Sequence, residues 1–317
     1  MPREKNNDEL ILKAATLYYT NGNTQDQIAK KFGFSRPTVV RLLKQARQKG
    51  FVEIKITRKL PHATHLETLI ENEFASDNLL EVIVVENYDN DAKAAVAERA
   101  AQYLSQNLRQ DHILGIGWSS TLMQIPDLLR KEKYAPERVV QLGGYVGGIA
   151  TANAQDICLR LGLSFGIPVE SLPAPVILKD PAVRDSLMQD PVIKNTLHWV
   201  KKCNIGLVGI GDVSTESTLV KAGYISADEL DKVARQGAVG DVLSHYYDIE
   251  GKEIKTAWQE AMISIDMAQL RNIDNIIGVA AGADKANSMI GAIRCGILNR
   301  IIIDVELAEA MTRSIAR

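Results

Sequence analysis

The chain has 317 residues, enough for two domains, and its 46% hydrophobic and 24% charged content is that of a soluble globular protein. No apolar run approaches the roughly 18 residues of a membrane span, and the N-terminus MPREKNNDE is too polar for a signal peptide. The net charge of −2 hides an asymmetry: residues 1–60 hold 13 Lys and Arg against 5 Asp and Glu, a net of +8, so the remainder carries −10. A basic head on an acidic body fits a polyanion-binding module joined to something that should not itself bind DNA.

Residues 8–21 read as a helix with Leu10, Ile11, Ala14, Leu17 and Tyr18 on one face, closed by Asn21-Gly22. Residues 24–50 then read as two short helices around a tight turn. Thr24 and Gln27 form a T-x-x-Q capping box, and Ile28, Ala29 and Phe32 share one face. Gly33 suits the left-handed residue that ends such a helix, Ser35 caps the next, and Pro37 sits in its first turn. Val39, Leu42, Leu43 and Ala46 repeat at i, i+3, i+4, i+7. The opposite face carries Arg41, Lys44 and Gln48 with Arg36 and Arg47 on its flanks, and no acid occurs from Gly33 to Val52.

That combination is the pattern of a helix-turn-helix whose second helix enters the DNA major groove. It places Gln25, Ser35, Arg36, Pro37, Thr38, Arg41, Lys44 and Arg47 at the DNA, with Arg36, Thr38 and Arg41 near base edges and Lys44 and Arg47 on phosphates. Residues 51–57 alternate Val52, Ile54 and Ile56 with Glu53 and Lys55, a strand that suggests a winged variant; Lys55, Arg58 and Lys59 are either backbone contacts or an ordinary soluble linker. The expected organisation is a winged helix-turn-helix over 1–58, a linker over 59–65 containing Pro61, and a second domain over 66–317. His62 and His65 read as surface residues, not metal ligands.

From residue 65 a helix is expected to 74, and from 81 onward strands and helices alternate. Strands are expected over 81–86, 113–117, 139–143, 205–210, 276–281 and 300–304, and helices over 91–108, 121–131, 154–161, 284–295 and 305–316. Short continuous apolar strands between helices predict an α/β domain, a parallel sheet covered on both faces. Residues 242–254 read as a hairpin on that sheet. Cys158, Cys203 and Cys295 lack metal spacing and read as reduced, buried packing residues of a cytoplasmic protein. No cofactor and no metal site is expected.

Open α/β sheets bind ligands beyond the carboxyl ends of their strands. Three such ends carry candidates. Gly117, Trp118, Ser119, Ser120 and Thr121 form a small-residue loop before a helix, suited either to an anion or simply to a capped turn. Gln141, before Gly143-Gly144, can read sugar hydroxyls or sit in a flexible turn. Lys285 sits in the first turn of a helix, where a cation opposes the dipole, so a ligand anion or a carboxylate partner is inferred, with Asp241 and Asp304 the candidates. Asp304 is alternatively a cap for the last helix.

Taken together these segments resemble the SorC/DeoR-type sugar-binding transcriptional regulators of bacteria. LYYTNGNTQDQIAKKFGFSRPTVVRLLKQARQKGFVEIKI is similar to the family's DNA-binding segment, GIGWSSTL to its G-x-S-W-G-x-T-type loop, and QLGG to its Gln-Leu-x-Gly-Gly turn. AVGDVLSHYYDIEG resembles its Gly-Asp-hydrophobic segment, and GADKANSMIGAIRCGILNRIIID its C-terminal signature. The resemblance implies a repressor or activator of a carbohydrate operon, with a second domain folded like sugar-phosphate isomerases. It implies operator DNA, a phosphorylated sugar or polyol effector, and a homo-oligomer, dimer or tetramer, as partners. It implies a phosphate loop at Gly117–Thr121, where Ser119 stands in place of a common Gly, and effector contacts at Gln141, Asp241 and Lys285. The rival expectation is an enzyme: Asp241, Lys285 and Asp304 have the chemistry for proton transfer in a sugar-phosphate isomerase carrying a DNA-binding head.

Overall fold

The computed structural model describes residues 2–52, 62–86, 91–129, 135–147 and 153–316, in two compact units, Met1–Lys59 and Leu60–Arg317. The expected wing strand with Lys55, Arg58 and Lys59, and the Pro61 linker, fall outside the described residues. No described helix is long and apolar enough to cross a membrane.

The first unit packs three helices: α1 (Pro2–Ala15), α2 (Gln25–Phe32) and α3 (Arg36–Gln48). Ile11, Ala14 and Ala15 of α1 bury against Ile28 and Ala29 of α2 and Val39, Leu42, Leu43 and Ala46 of α3. The caps form as the sequence requires. Thr24 accepts from the Gln27 N–H while Gln27 accepts from the Thr24 N–H, and Gly33 ends α2 in the left-handed region at φ 69°. Ser35 caps α3 by accepting from the Thr38 N–H. The expected helix over 8–21 departs from α geometry at its end: Thr16–Thr20 is a π-helical turn, in which the Asn21 N–H returns to the Thr16 carbonyl. That turn brings Tyr19 to Arg47, whose Nε donates to the tyrosine hydroxyl at 2.8 Å.

The second unit opens with α4 (His62–Glu73), which takes in residues expected as linker, because Ala63 and Leu66 already pack on the core. There follow β1 (Glu81–Val85), α5 (Ala92–Asn107), β2 (Ile113–Ile116), α6 (Ile125–Leu128), β3 (Arg138–Gln141), α7 (Ala154–Phe165) and β4 (Val169–Glu170). Next come α8 (Pro181–Leu187), α9 (Pro191–Val200), β5 (Ile205–Gly209), β6 (Gly211–Asp212), α10 (Thr218–Lys221) and α11 (Ala227–Arg235). The chain ends with β7 (Ala238–Val242), β8 (His245–Asp248), β9 (Glu253–Ile254), α12 (Met267–Arg271), β10 (Asn275–Ala280), α13 (Ala286–Arg294), β11 (Arg300–Asp304) and α14 (Val305–Ile315).

Seven strands form one parallel sheet in the order β1-β11-β10-β5-β2-β3-β4. Period-two alternation splits its side chains between two cores. Val82, Val84, Ile301 and Ile303 face Leu66 and Ile70 of α4, Met289 and Ile293 of α13, and Leu307 and Met311 of α14. Ile83, Ile302, Leu114 and Leu207 face Val96, Ala100 and Leu104 of α5 and Ile157 and Leu161 of α7. The chain runs outward from β2 through β3 to β4, then returns to β5 on the other side of β2. The strand order therefore reverses between β2 and β5.

Two expectations are corrected. The hairpin over 242–254 does not extend the parallel sheet: β7, β8 and β9 join β6 in a separate antiparallel sheet of order β6-β7-β8-β9. The helix over 121–131 shrinks to a 3-10 turn, Leu122–Gln124, and the single turn of α6, with Pro126 in its first turn.

Candidate functional site

A cleft of about 770 Å³ opens where the strand order reverses, at the carboxyl ends of β2, β5 and β10. Trp118–Thr121 after β2, Gly209–Asp212 at the passage from β5 to β6, and Val279–Gly282 with Asp284 and Lys285 after β10 form three of its walls. Asp241, Leu243 and Tyr246 enter from the β7–β8 hairpin, Asp91–Lys93 from the start of α5, and Glu216–Leu219 and Lys221 from around α10.

Six of the expected effector residues thus meet in one place: Trp118, Ser119, Ser120, Thr121, Asp241 and Lys285. Two do not. Gln141 is 0% exposed, and its amide is spent on the backbone: Nε2 donates to the Gly143 carbonyl at 2.7 Å and Oε1 accepts from the Leu172 N–H at 3.1 Å. It fastens the turn after β3 and does not reach the cleft. Gly117 lies behind the wall, with its N–H given to the Leu207 carbonyl at 2.9 Å. The loop after it is differently placed. Ser119 accepts from the Leu122 N–H at 3.0 Å, which closes the turn, while the N–H groups of Ser119, Ser120 and Thr121 have no protein acceptor among the described residues.

Lys285 takes neither expected partner. Its Nζ lies 2.8 Å from Asp212 Oδ2, and the other Asp212 oxygen accepts from the Ser214 hydroxyl at 2.7 Å. Burial works to raise the Asp212 carboxyl, but the bonds from Lys285 and Ser214 outweigh it and hold the group below its ordinary value. Asp304 accepts from the Gly282 N–H at 2.9 Å and gives α14 no side-chain cap, so it anchors the backbone under Lys285.

Asp241 keeps partial access to the cleft, yet the protein around it pushes its carboxyl up to about 6, mainly by desolvation, against the Ser244 N–H bond and the Lys285 charge. That N–H bond, 3.0 Å long, spans the two-residue turn of Leu243 and Ser244, both at positive φ, 51° and 69°. Non-glycine residues held there in a cleft wall are a strained feature that the surrounding structure must fix. Gly211 faces Asp241 so closely that a Cβ on it would collide with the carboxylate.

Sequence reasoning missed Asp212, Tyr246 and Lys93. Lys93, in the first turn of α5, is exposed at the cleft and has no carboxylate partner among the described residues. The rule that singled out Lys285, a lysine where the helix dipole disfavours it, applies equally to Lys93. Among the described residues no group of three or more His, Cys, Asp or Glu is set to hold a metal. The cysteines are free and buried, and burial pushes the Cys203 and Cys295 thiols up to about 12.

An α/β effector domain with its cleft at a sheet switch point, following a small basic helical unit, is the build of a ligand-controlled regulator. A family model described as "Putative sugar-binding domain" matches residues 58–313. The deoxyribonucleoside regulator of Bacillus subtilis (strain 168) is 30% identical over 320 residues, spanning 99% of this chain and 100% of its own length. The sorbitol operon regulator of Klebsiella pneumoniae is 27% identical over 317 residues, spanning 98% of this chain and 100% of its own. The crystal structure of full-length SorC from that organism superposes with a TM-score of 0.73 at 27% identity, over 96% of this chain and 98% of that one. A DeoR family regulator from Listeria monocytogenes gives 0.72 at 25% identity, over 79% and 100%. The chain belongs to this SorC/DeoR-type family of sugar-binding transcriptional regulators.

Proposed function

We propose that the chain binds operator DNA through α2 and α3 and is controlled by a phosphorylated sugar or polyol held in the cleft. The observation that carries the ligand reading is the run of three N–H groups, Ser119 to Thr121, without an acceptor among the described residues, at a cleft that also presents the ammonium groups of Lys93 and Lys285. Consecutive free amides suit phosphate oxygens, and charge-assisted bonds to phosphate are among the strong ones. The cleft also holds Asp91, Asp212, Glu216, Asp241 and Asp284, so a bare anion gains little there. A ligand with phosphate at one end and hydroxyls at the other satisfies both sets.

On the DNA side, the capped helix pair and the run without acids from Gly33 to Val52 support Arg36, Thr38 and Arg41 at base edges and Lys44 and Arg47 at phosphates, with Gln25, Ser35 and Pro37 beside them and Asp26 of α2 3.9 Å from the Arg36 guanidinium. Gln25 Oε1 accepts from Arg36 Nε at 3.3 Å, which holds that guanidinium at the start of α3. The reading includes the domain roles expected from the sequence, a cytoplasmic location, regulation without catalysis, and a dimer or tetramer, since palindromic half-sites need a two-fold. A thermal-shift screen of phosphorylated sugars and polyols tests it, followed by DNA binding with and without the hit. The expected result is stabilisation by a phosphorylated compound but not by its free parent, a ligand-dependent change in DNA affinity, and no turnover at stoichiometric protein. A free sugar that binds as tightly, or a product formed, overturns it.

A further inference from the structure

Tyr246 has a hydroxyl that no hydrogen bond among the described residues uses. The residue stands in β8 between Asp241 of β7 and Ile254 of β9, is 1% exposed, and lines the cleft. Its hydroxyl is buried and has no hydrogen-bond partner among the described residues. Buried hydroxyls are normally paired, so an orphan at a cleft wall calls for an explanation. Nor can it turn away to find a partner. Trp258 packs edge-on against the ring at 5.9 Å between centroids, and strands on both sides fix the backbone. A flip of the ring about its own axis leaves the hydroxyl where it is.

We propose that this hydroxyl is a ligand contact, the donor to an uncharged oxygen of the effector at the end of the cleft flanked by Asp241 and Asp212. The charge there decides the class of oxygen. Asp241 is the cross-strand neighbour of Tyr246 and has no ion-pair partner among the described residues, whereas Asp212 is neutralised by Lys285, so it is the Asp241 carboxylate that repels a phosphate oxygen there. A sugar or polyol hydroxyl fits: it donates to Asp241 and accepts from Tyr246, satisfying all three groups at once. The phosphate then lies toward Ser119–Thr121 and the Lys285 ammonium. Tyr246 thereby selects for the sugar and not for the phosphate. This inference rests on the proposed effector reading and adds the orientation of the ligand to it.

Tyr246→Phe removes the hydroxyl and nothing else. Without ligand, the variant is expected to melt at the same temperature as the parent or higher, since no bond is lost and an unpaired polar group is removed. A melting temperature several degrees lower shows an internal partner and overturns the proposal. Calorimetry on the full chain then uses ribose 5-phosphate, glucose 6-phosphate, sorbitol 6-phosphate and inorganic phosphate. The sugar phosphate that binds the parent should bind the variant about tenfold more weakly, with affinity for inorganic phosphate unchanged. Equal affinity for the sugar phosphate, or an equal loss for inorganic phosphate, overturns the assignment while leaving the effector reading standing. If the parent binds none of the sugar phosphates, the effector reading fails and Tyr246 loses its role with it.

Discussion

The Lys285 ammonium is paired with Asp212, 2.8 Å away, across the mouth of the cleft, and not with Asp241 or Asp304. The pair sets opposite expectations for its two members. Lys285→Ala removes a cation and leaves Asp212 uncompensated, so affinity for a phosphorylated ligand should fall by about tenfold or more. Asp212→Asn frees the ammonium and removes an anion, so affinity should rise. Calorimetry reads both. A loss of similar size in both variants means that the pair holds the wall and that neither charge acts on the ligand alone.

Gly211 tests how tightly the wall is built. Gly211→Ala puts a methyl group into the Asp241 carboxylate. The expected cost is about 1–3 kcal/mol in a denaturant melt, the usual range for overpacking, together with weakened ligand binding as Asp241 is displaced. Unchanged stability would show that the two strands separate more easily than their pairing implies.

Asp241 should leave a signature in the pH dependence of stability. Its folded value is raised to about 6 from an ordinary 3.8, so the folded state binds a proton that the unfolded state releases. The stabilisation is fully present below about pH 4 and is lost as pH rises through about 6. Asp241→Asn lacks this titration. The difference in melting temperature between parent and variant should therefore move against the parent from pH 4 to pH 6 and be flat above 7. Parallel curves across that window would assign the carboxyl an ordinary value.

On α3, Lys44→Ala should weaken binding to all DNA sequences and lower the salt slope by about one. Arg41→Ala should cost ~1–3 kcal/mol, mainly at one base pair. Titrations of a selected operator at several salt concentrations separate the two. Parent-like binding by both variants would mean that a different face of the unit meets the DNA.

What was legible in the sequence was local. The caps at Thr24, Gly33 and Ser35 depend on residues within four positions of each, and they form as read. Six of the seven strands of the parallel sheet were visible as largely apolar runs; the edge strand β4, Val169–Glu170, is two half-buried residues, one of them charged, and was not expected. Pairings between distant segments were not. Asp212 meets Lys285 only because β5 and β10 are neighbours, and nothing near either residue says so. Gln141 has the same chemistry in a ligand site as in a backbone clasp; its fate turned on the Leu172 N–H, in a stretch without periodic signal. The hairpin over 242–254 was visible as a hairpin, but strand pattern alone does not state which sheet it joins. Lys93 was different: its signal was present in the sequence and was passed over.

The passage from β5 to β6 gives the cleft a mechanical character. Only Ile210 separates the last residue of a central strand of the parallel sheet from the first residue of the antiparallel one. The cleft sits over that joint, with Ser119–Thr121 and Lys285 reached from one sheet and Asp241 and Tyr246 carried on the other. An occupant that grips both sides is a cross-brace. It adds to the ties the two sheets already share, the covalent passage at Ile210, the Lys285–Asp212 bridge and the hydrogen bonds that join Val239 and Tyr247 to Ser288 of α13, so occupancy is turned into stiffness.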